Sequence, residues 1–172
     1  MKKIIGILAF IVLLISAQNT VAQTFKFGHV SSQELIMAMP EYKTALSQMD
    51  SLTTTLQNDY ELQTVEYNNK YDKYLKEQKT LTDLVRQTRE QELTDMQTRI
   101  TNFQTQAQTT ITEKQTALFN PIAAKAEKAI QDVGKENGFT YIFDTSINAL
   151  SYYDETKSTN VLPLAKAKLG IK

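Results

Sequence analysis

The sequence predicts an α+β chain that is mostly α: a small antiparallel β body carrying a long antiparallel coiled-coil helical hairpin. Three observations predict it. Neither Gly nor Pro occurs between Pro40 and Pro121, so residues 41–120 run without a helix breaker and are rich in Gln, Thr, Lys, Glu and Leu. Segments rich in β-branched and aromatic residues stand on both sides of this stretch. Within it, one heptad-spaced series runs up to residue 74 and another starts at residue 93.

The N-terminus is read first. Lys2 and Lys3 precede an apolar run from Ile4 to Ile15, and Thr20-Val21-Ala22 occupies the positions a signal peptidase reads. Residues 1–22 are expected to form a secretory signal peptide cleaved after Ala22, because the run is short for a bilayer span of roughly 20 residues. No Cys follows, so a thiol-linked lipid anchor is not expected. Loss of Lys2 and Lys3 takes the balance from 19 basic and 19 acidic residues to 17 against 19, near −2. That balance gives no sign of a nucleic-acid partner. Residues 23–172 are about one domain by length. An exported chain with no Cys must be held by packing, metal or oligomerisation. Export points to a periplasm or an outer surface.

"TFKFGHV" (24–30) alternates and reads as a strand. Ser31 or Ser32 caps a short helix, "SQELIMAM", with Glu34 placed for a capping box with Ser31. Pro40 ends that helix and serves as an early position of the next. Pro121 is expected to kink or restart the second long helix, which continues through "IAAKAEKAIQDVGKENG". Its apolar stripe is Ile122, Ala126, Ala129, Ile130 and Val133, and Asn137-Gly138 is its stop signal. "GFTYIFD" (138–144) and "NALSYY" (148–153) read as strands joined by a hairpin loop, "DTSIN". Asn160 is placed to cap a last helix, "VLPLAKAKL", with Pro163 in its first turn and Gly170 closing it. The β-rich body is thus residues 23–40 and 121–172, and the arm is 41–120.

The arm has two seams. One is Tyr42, Leu46, Met49, Thr53, Leu56, Tyr60, Gln63, Tyr67, Lys70 and Tyr74. The other is Leu93, Met96, Ile100, Phe103, Ala107, Thr110, Lys114 and Ala117. Neither continues between 74 and 93. There, Thr80 followed by Asp83 before Leu84-Val85 resembles a capping box, and equal arms place a tip near residue 80. One continuous helix with a stutter is the alternative.

The residues also carry a resemblance. "FGHVSSQELIMAMPEYKTA", "LTDLVRQTREQELTDMQTRI", "PIAAKAEKAIQDVGKENGFTYIFD" and "VLPLAKAKLG" resemble the OmpH/Skp family of periplasmic chaperones over essentially the whole exported chain. The resemblance implies a homotrimer whose strands build a central body, with three helical arms around a cavity. It further implies a holding activity without ATP on unfolded outer-membrane proteins. The sequence has no GxxxxGK[ST] stretch to cradle phosphates.

Other chemistry finds little support. His29 is the sole His and stands in a strand without clustered acids or Cys, so a strand-face or interface role is expected. No nucleophile–base arrangement can be argued, and no enzyme, metal or cofactor is expected. The arm carries nine basic against twelve acidic residues. Its tip is locally basic through Lys70, Lys73, Lys76, Lys79, Arg86 and Arg89. Electrostatic capture, including weak contact with a membrane surface, would sit there and be screened by salt. Leu62, Val65, Tyr71 and Leu75 are candidate contacts for unfolded clients, offering non-directional apolar grip, while Tyr60, Tyr67 and Tyr74 are expected to pack between the helices. A small sheet cannot bury much core alone. Phe25, Phe27, Ile36, Met37, Tyr141, Phe143, Leu150 and Tyr152 are therefore candidates for the body core or the trimer interface. The competing reading is a structural coiled-coil adaptor or spacer of the cell envelope, binding one folded partner at the tip through Leu81, Leu84 and Val85.

Overall fold

The computed structural model describes residues 25–147 and 149–171. The expected signal peptide, the first residue of "TFKFGHV" and Asn148 lie outside the described residues. The element order is β1 (Phe27–Val30), α1 (Ser32–Ala38), α2 (Pro40–Glu77), a 3₁₀ turn (Gln78–Thr80), α3 (Asp83–Glu136), β2 (Tyr141–Asp144), β3 (Ser158–Asn160) and α4 (Leu162–Lys168). The chain is mostly helical, with one small sheet.

Helix ends follow local chemistry. The Ser31 hydroxyl accepts from the Glu34 backbone N–H at 3.1 Å and starts α1. Met39 is extended ahead of Pro40, which takes the first position of α2. Gly138, at φ +66°, lets the chain leave α3 in the left-handed region. The Asn160 side-chain oxygen accepts from Leu162 N–H at 2.9 Å at the entry to α4.

Pro121 does not restart the helix: α3 runs unbroken through it to Glu136. Proline at this position removes one helical hydrogen bond. Here the residue is exposed, and Leu118 and Ile122 on either side pack into the core and hold the helical path.

The reversal at the tip uses neither Gly nor Pro. After the 3₁₀ turn, Leu81 (φ −76°, ψ 147°) and Thr82 (φ −69°, ψ 156°) are extended, conformations open to any residue. The expected Thr80 cap does not form. Thr80 donates its hydroxyl to the Glu77 carbonyl at 2.8 Å, and Thr82, without a side-chain cap bond, precedes α3.

The sheet is parallel, in the order β2-β1-β3, and this corrects the antiparallel expectation. Phe27 pairs with Tyr141 and His29 with Phe143; on the other side Phe27 pairs with Ser158 and His29 with Asn160. Among the described residues no hairpin follows β2. The Asp144 carboxylate accepts from the Ser32 and Ser146 backbone N–H groups at 3.1 and 2.9 Å, which turns the chain out of the sheet toward α1. The described part of "NALSYY" is not a strand. A longer connection brings the short polar Ser158–Asn160 alongside β1 instead, as parallel pairing requires a crossover.

The core lies where the body meets the base of the arm. Val30, Leu35, Met39, Ala45, Ile122, Ala126, Val133, Val161, Leu162 and Ala165 are buried together. Gly28 packs closely against it: a Cβ there would stand 3.1 Å from Val161 Cγ1 and 3.2 Å from both Ile142 Cγ1 and Phe139 Cδ1.

Candidate functional site

The arm is built by α2 and the first part of α3, which return antiparallel. Glu41 pairs with Lys125 at the base, while Lys70 with Glu92 and Glu77 with Arg89 (3.5 Å) pair near the tip. A helix of 38 residues extends about 57 Å at 1.5 Å per residue. Tyr60, Tyr67 and Tyr74 are half-buried along the seam, as are Leu56, Gln63, Phe103 and Ala107. Near the base the strict heptad series slips. Leu46, Thr53, Lys114 and Ala117 are exposed, and Ala45, Leu52, Ile111 and Leu118 face inward instead. An α-helix drifts about 20° per heptad from a 3.5-residue repeat, so a series phased from the tip loses the seam lower down. Tyr42, edge-on to Phe119 at 5.6 Å, sets the phase at the base.

The expected apolar contacts divide between two faces. Leu62 (69 % exposed) and Val65 (56 %) share one side, at a spacing of three residues. Tyr71 and Leu75, also exposed, share another, about a third of a turn away at roughly 100° per residue. Tyr71 stacks on Tyr67 with centroids 5.9 Å apart. Sequence reasoning placed Leu84 and Val85 only at the tip of the competing reading. Both are exposed, Leu84 at 76 %, and they extend the apolar surface onto the returning helix.

The basic tip is partly neutralised from within. Lys70 bridges Glu92 and Glu66, Arg86 pairs with Asp83 at 2.7 Å, and Arg89 with Glu77. The hydrogen bond to Glu92 holds the Lys70 ammonium above the usual lysine range, and Lys70 in turn holds Glu92 below the usual carboxylate range. Tyr74 donates to the Glu90 carboxylate, which pushes the phenol upward. Lys73, Lys76 and Lys79 have no ion-pair partner among the described residues and form the free positive charge of the tip.

The second surface is on the body. Phe25, Phe27, Tyr141 and Phe143 form a stacked aromatic layer on the sheet, with centroids 6.0–6.4 Å apart. Phe25, Phe27 and Tyr141 are exposed and Phe143 is half-buried. Of the other candidates, Ile36 packs against the chain's own core, Leu150 is half-buried, and Met37 and Tyr152 are exposed. None of the eight is fully buried. The core residues that sequence reading missed include Val30, Leu35, Met39 and Val161; the i, i+4 spacing of Leu35 and Met39 was the available signal.

His29 makes a side-chain hydrogen bond through Nδ1 to Ser158 Oγ at 2.9 Å, and its ring lies 4.7 Å from Tyr153. Among the described residues, no cluster of three or more His, Cys, Asp or Glu is placed to hold a metal. At the end of β2, burial pushes the Asp144 carboxyl up, but hydrogen bonds from Ser32 and Ser146 outweigh it and hold the group below its ordinary range.

No curated protein matches the chain. A family model described as "Outer membrane protein (OmpH-like)" matches residues 26–169, from the start of the sheet to the end of α4. The chain belongs to the OmpH-like family.

Proposed function

We propose that this protein is an ATP-independent periplasmic holdase that keeps unfolded outer-membrane proteins from aggregating. In this reading residues 1–22 direct export and 23–172 form one chaperone domain. Family membership points to the periplasm and to chaperoning of outer-membrane proteins. The observation that carries the finer reading is the arm: a thin two-helix projection that exposes Leu62, Val65, Tyr71 and Leu75 on two sides. Such dispersed apolar groups suit weak contact with many segments of an unfolded chain better than one fixed docking pose. Weak contacts retain a chain when many act at high effective concentration, and they let go without an energy source once the client folds into the membrane.

A homotrimer supplies that multiplicity. The open aromatic layer of the parallel sheet supports self-association, because parallel sheets are ordinarily covered on both faces. Three arms would then surround a cavity, with Lys73, Lys76 and Lys79 at its mouth making weak contact with an anionic membrane surface. The test is dilution of a urea-unfolded outer-membrane β-barrel protein with and without the chain. Suppressed light scattering at a few-fold molar excess is expected; no suppression contradicts the reading. The exposure of Leu84 and Val85 at the tip favours a second reading, an envelope adaptor that docks one folded partner there.

A further inference from the structure

The outer side of α2 changes charge along its length. From Thr44 to Asn69 it carries Asp50, Asp59, Glu61 and Glu66, all exposed, and no Lys or Arg. From Lys70 to Lys79 basic residues outnumber acidic ones, and Lys73, Lys76 and Lys79 stand exposed without an ion-pair partner among the described residues. Each half also exposes apolar groups: Leu62 and Val65 in the acidic half, Tyr71 and Leu75 in the basic half. One helix thus presents both members of a complementary pair of surfaces.

Helical geometry places these groups in a common register. At roughly 100° per residue, Val65 points away from the half-buried seam residues Leu56, Tyr67 and Tyr74, and Glu61 and Lys76 lie within about 40° of it. Glu66 and Lys73 fall on one flank of this face and Leu75 on the other, while Lys79 follows in the 3₁₀ turn. A second copy set antiparallel, about a two-fold axis at Lys70, brings Glu66 opposite Lys73, Glu61 opposite Lys79 and Val65 beside Leu75. The symmetry repeats each pairing. A parallel alignment sets like charges together, so the charge pattern selects the antiparallel one. The matched stretch, from Asp59 to Lys79, is about 30 Å long at 1.5 Å per residue. Internal partners hold these acids only weakly: Glu66 reaches Lys70 at 3.4 Å on the exposed surface, and Glu61 accepts from Gln57 at 2.9 Å.

We infer that the arms of two copies pair antiparallel through the outer face of α2, the acidic stretch of each seated on the basic tip stretch of the other. Each arm thereby covers Leu62, Val65 and Leu75 of its partner. The pairing stands whatever the arm grips. Its consequence rests on the proposed function: the arms of one trimer project the same way, so the pairing joins two assemblies mouth to mouth. An arriving client displaces it by taking the same apolar groups.

Sedimentation velocity on the full exported chain tests this. At low salt and high protein concentration the mass should rise to twice that of the basal assembly. It should return to the basal value at about 1 M salt, where screening acts over about 3 Å. Glu61→Lys with Glu66→Lys, or Lys73→Glu with Lys79→Glu, should each weaken the association at least about tenfold. Mixing the two variants should restore it, because one then carries a basic face and the other an acidic face. A mass that never exceeds the basal assembly would overturn the inference and leave this face to clients alone. Doubling that survives either reversal, or a mixture that stays dissociated, would overturn it as well. Suppression of aggregation by the unmodified chain tests the holdase reading separately, and its failure leaves the pairing standing.

Discussion

The rings of Phe27 and Tyr141 lie nearly parallel on neighbouring parallel strands, with centroids 6.3 Å apart and planes within 8°. Among the described residues nothing covers Tyr141, which is 60 % exposed. Packed aromatic pairs contribute most when desolvated, so this layer asks for cover from another copy. If the proposed trimer closes over this layer, Phe27→Ser or Tyr141→Ser is expected to lower the mass in light scattering toward that of a monomer, with far-ultraviolet circular dichroism unchanged. A variant that keeps the parent mass would remove these rings from the interface.

The body core should respond differently. Leu35 is fully buried where α1 meets the rest of the body, and Leu35→Ala is expected to cost about 2–5 kcal/mol in denaturant unfolding. Gly28→Val forces a branched side chain into a space already tight for a Cβ and should cost about 1–3 kcal/mol or more through overpacking.

Asp144 gives the body a pH dependence. Its folded-state carboxyl is held below the ordinary range, so its contribution is present above the unfolded value of about 3.9 and is lost as pH falls through the lower folded value. Thermal unfolding between pH 2 and 5 should show a steeper loss of stability for the parent than for Asp144→Asn. Equal slopes would show that the contacts to Ser32 and Ser146 do not depend on the charge.

The tip prediction is electrostatic. Replacing Lys73, Lys76 and Lys79 by Glu should abolish co-sedimentation with anionic vesicles at low salt and leave neutral vesicles unaffected. At 0.1 M salt, where screening acts over about 10 Å, parent and variant should converge. Vesicle binding that survives both changes would point to apolar Leu84 and Val85 instead.

Much of this architecture was legible in periodicity and punctuation. Ser31, Pro40 and Gly138 mark their boundaries through chemistry confined to a few residues, and Tyr60, Tyr67 and Tyr74 trace the seam by spacing alone. The features that were not legible depend on distant parts of the chain. The parallel direction of the strands goes with contacts such as Asp144 to Ser32, more than a hundred residues apart in sequence. Ser158–Asn160 has little strand propensity and is a strand because β1 offers it an open edge. Pro121 stays helical because Leu118 and Ile122 are anchored in the core. On the arm, exposure of Leu62 and Val65 follows from the seam register, whereas the exposure of Leu84 depends on how the tip turns.

The measurement that most directly tests the holdase reading compares arm variants in the suppression of aggregation of a urea-diluted outer-membrane protein. Leu62→Gln, Val65→Gln and Leu75→Gln combined should reduce suppression several-fold at equal chain concentration and unchanged oligomer mass, while Leu84→Gln with Val85→Gln should cost little. Full suppression by the arm variant, with loss confined to the tip variant, would contradict the holdase reading and favour a tip-docking adaptor.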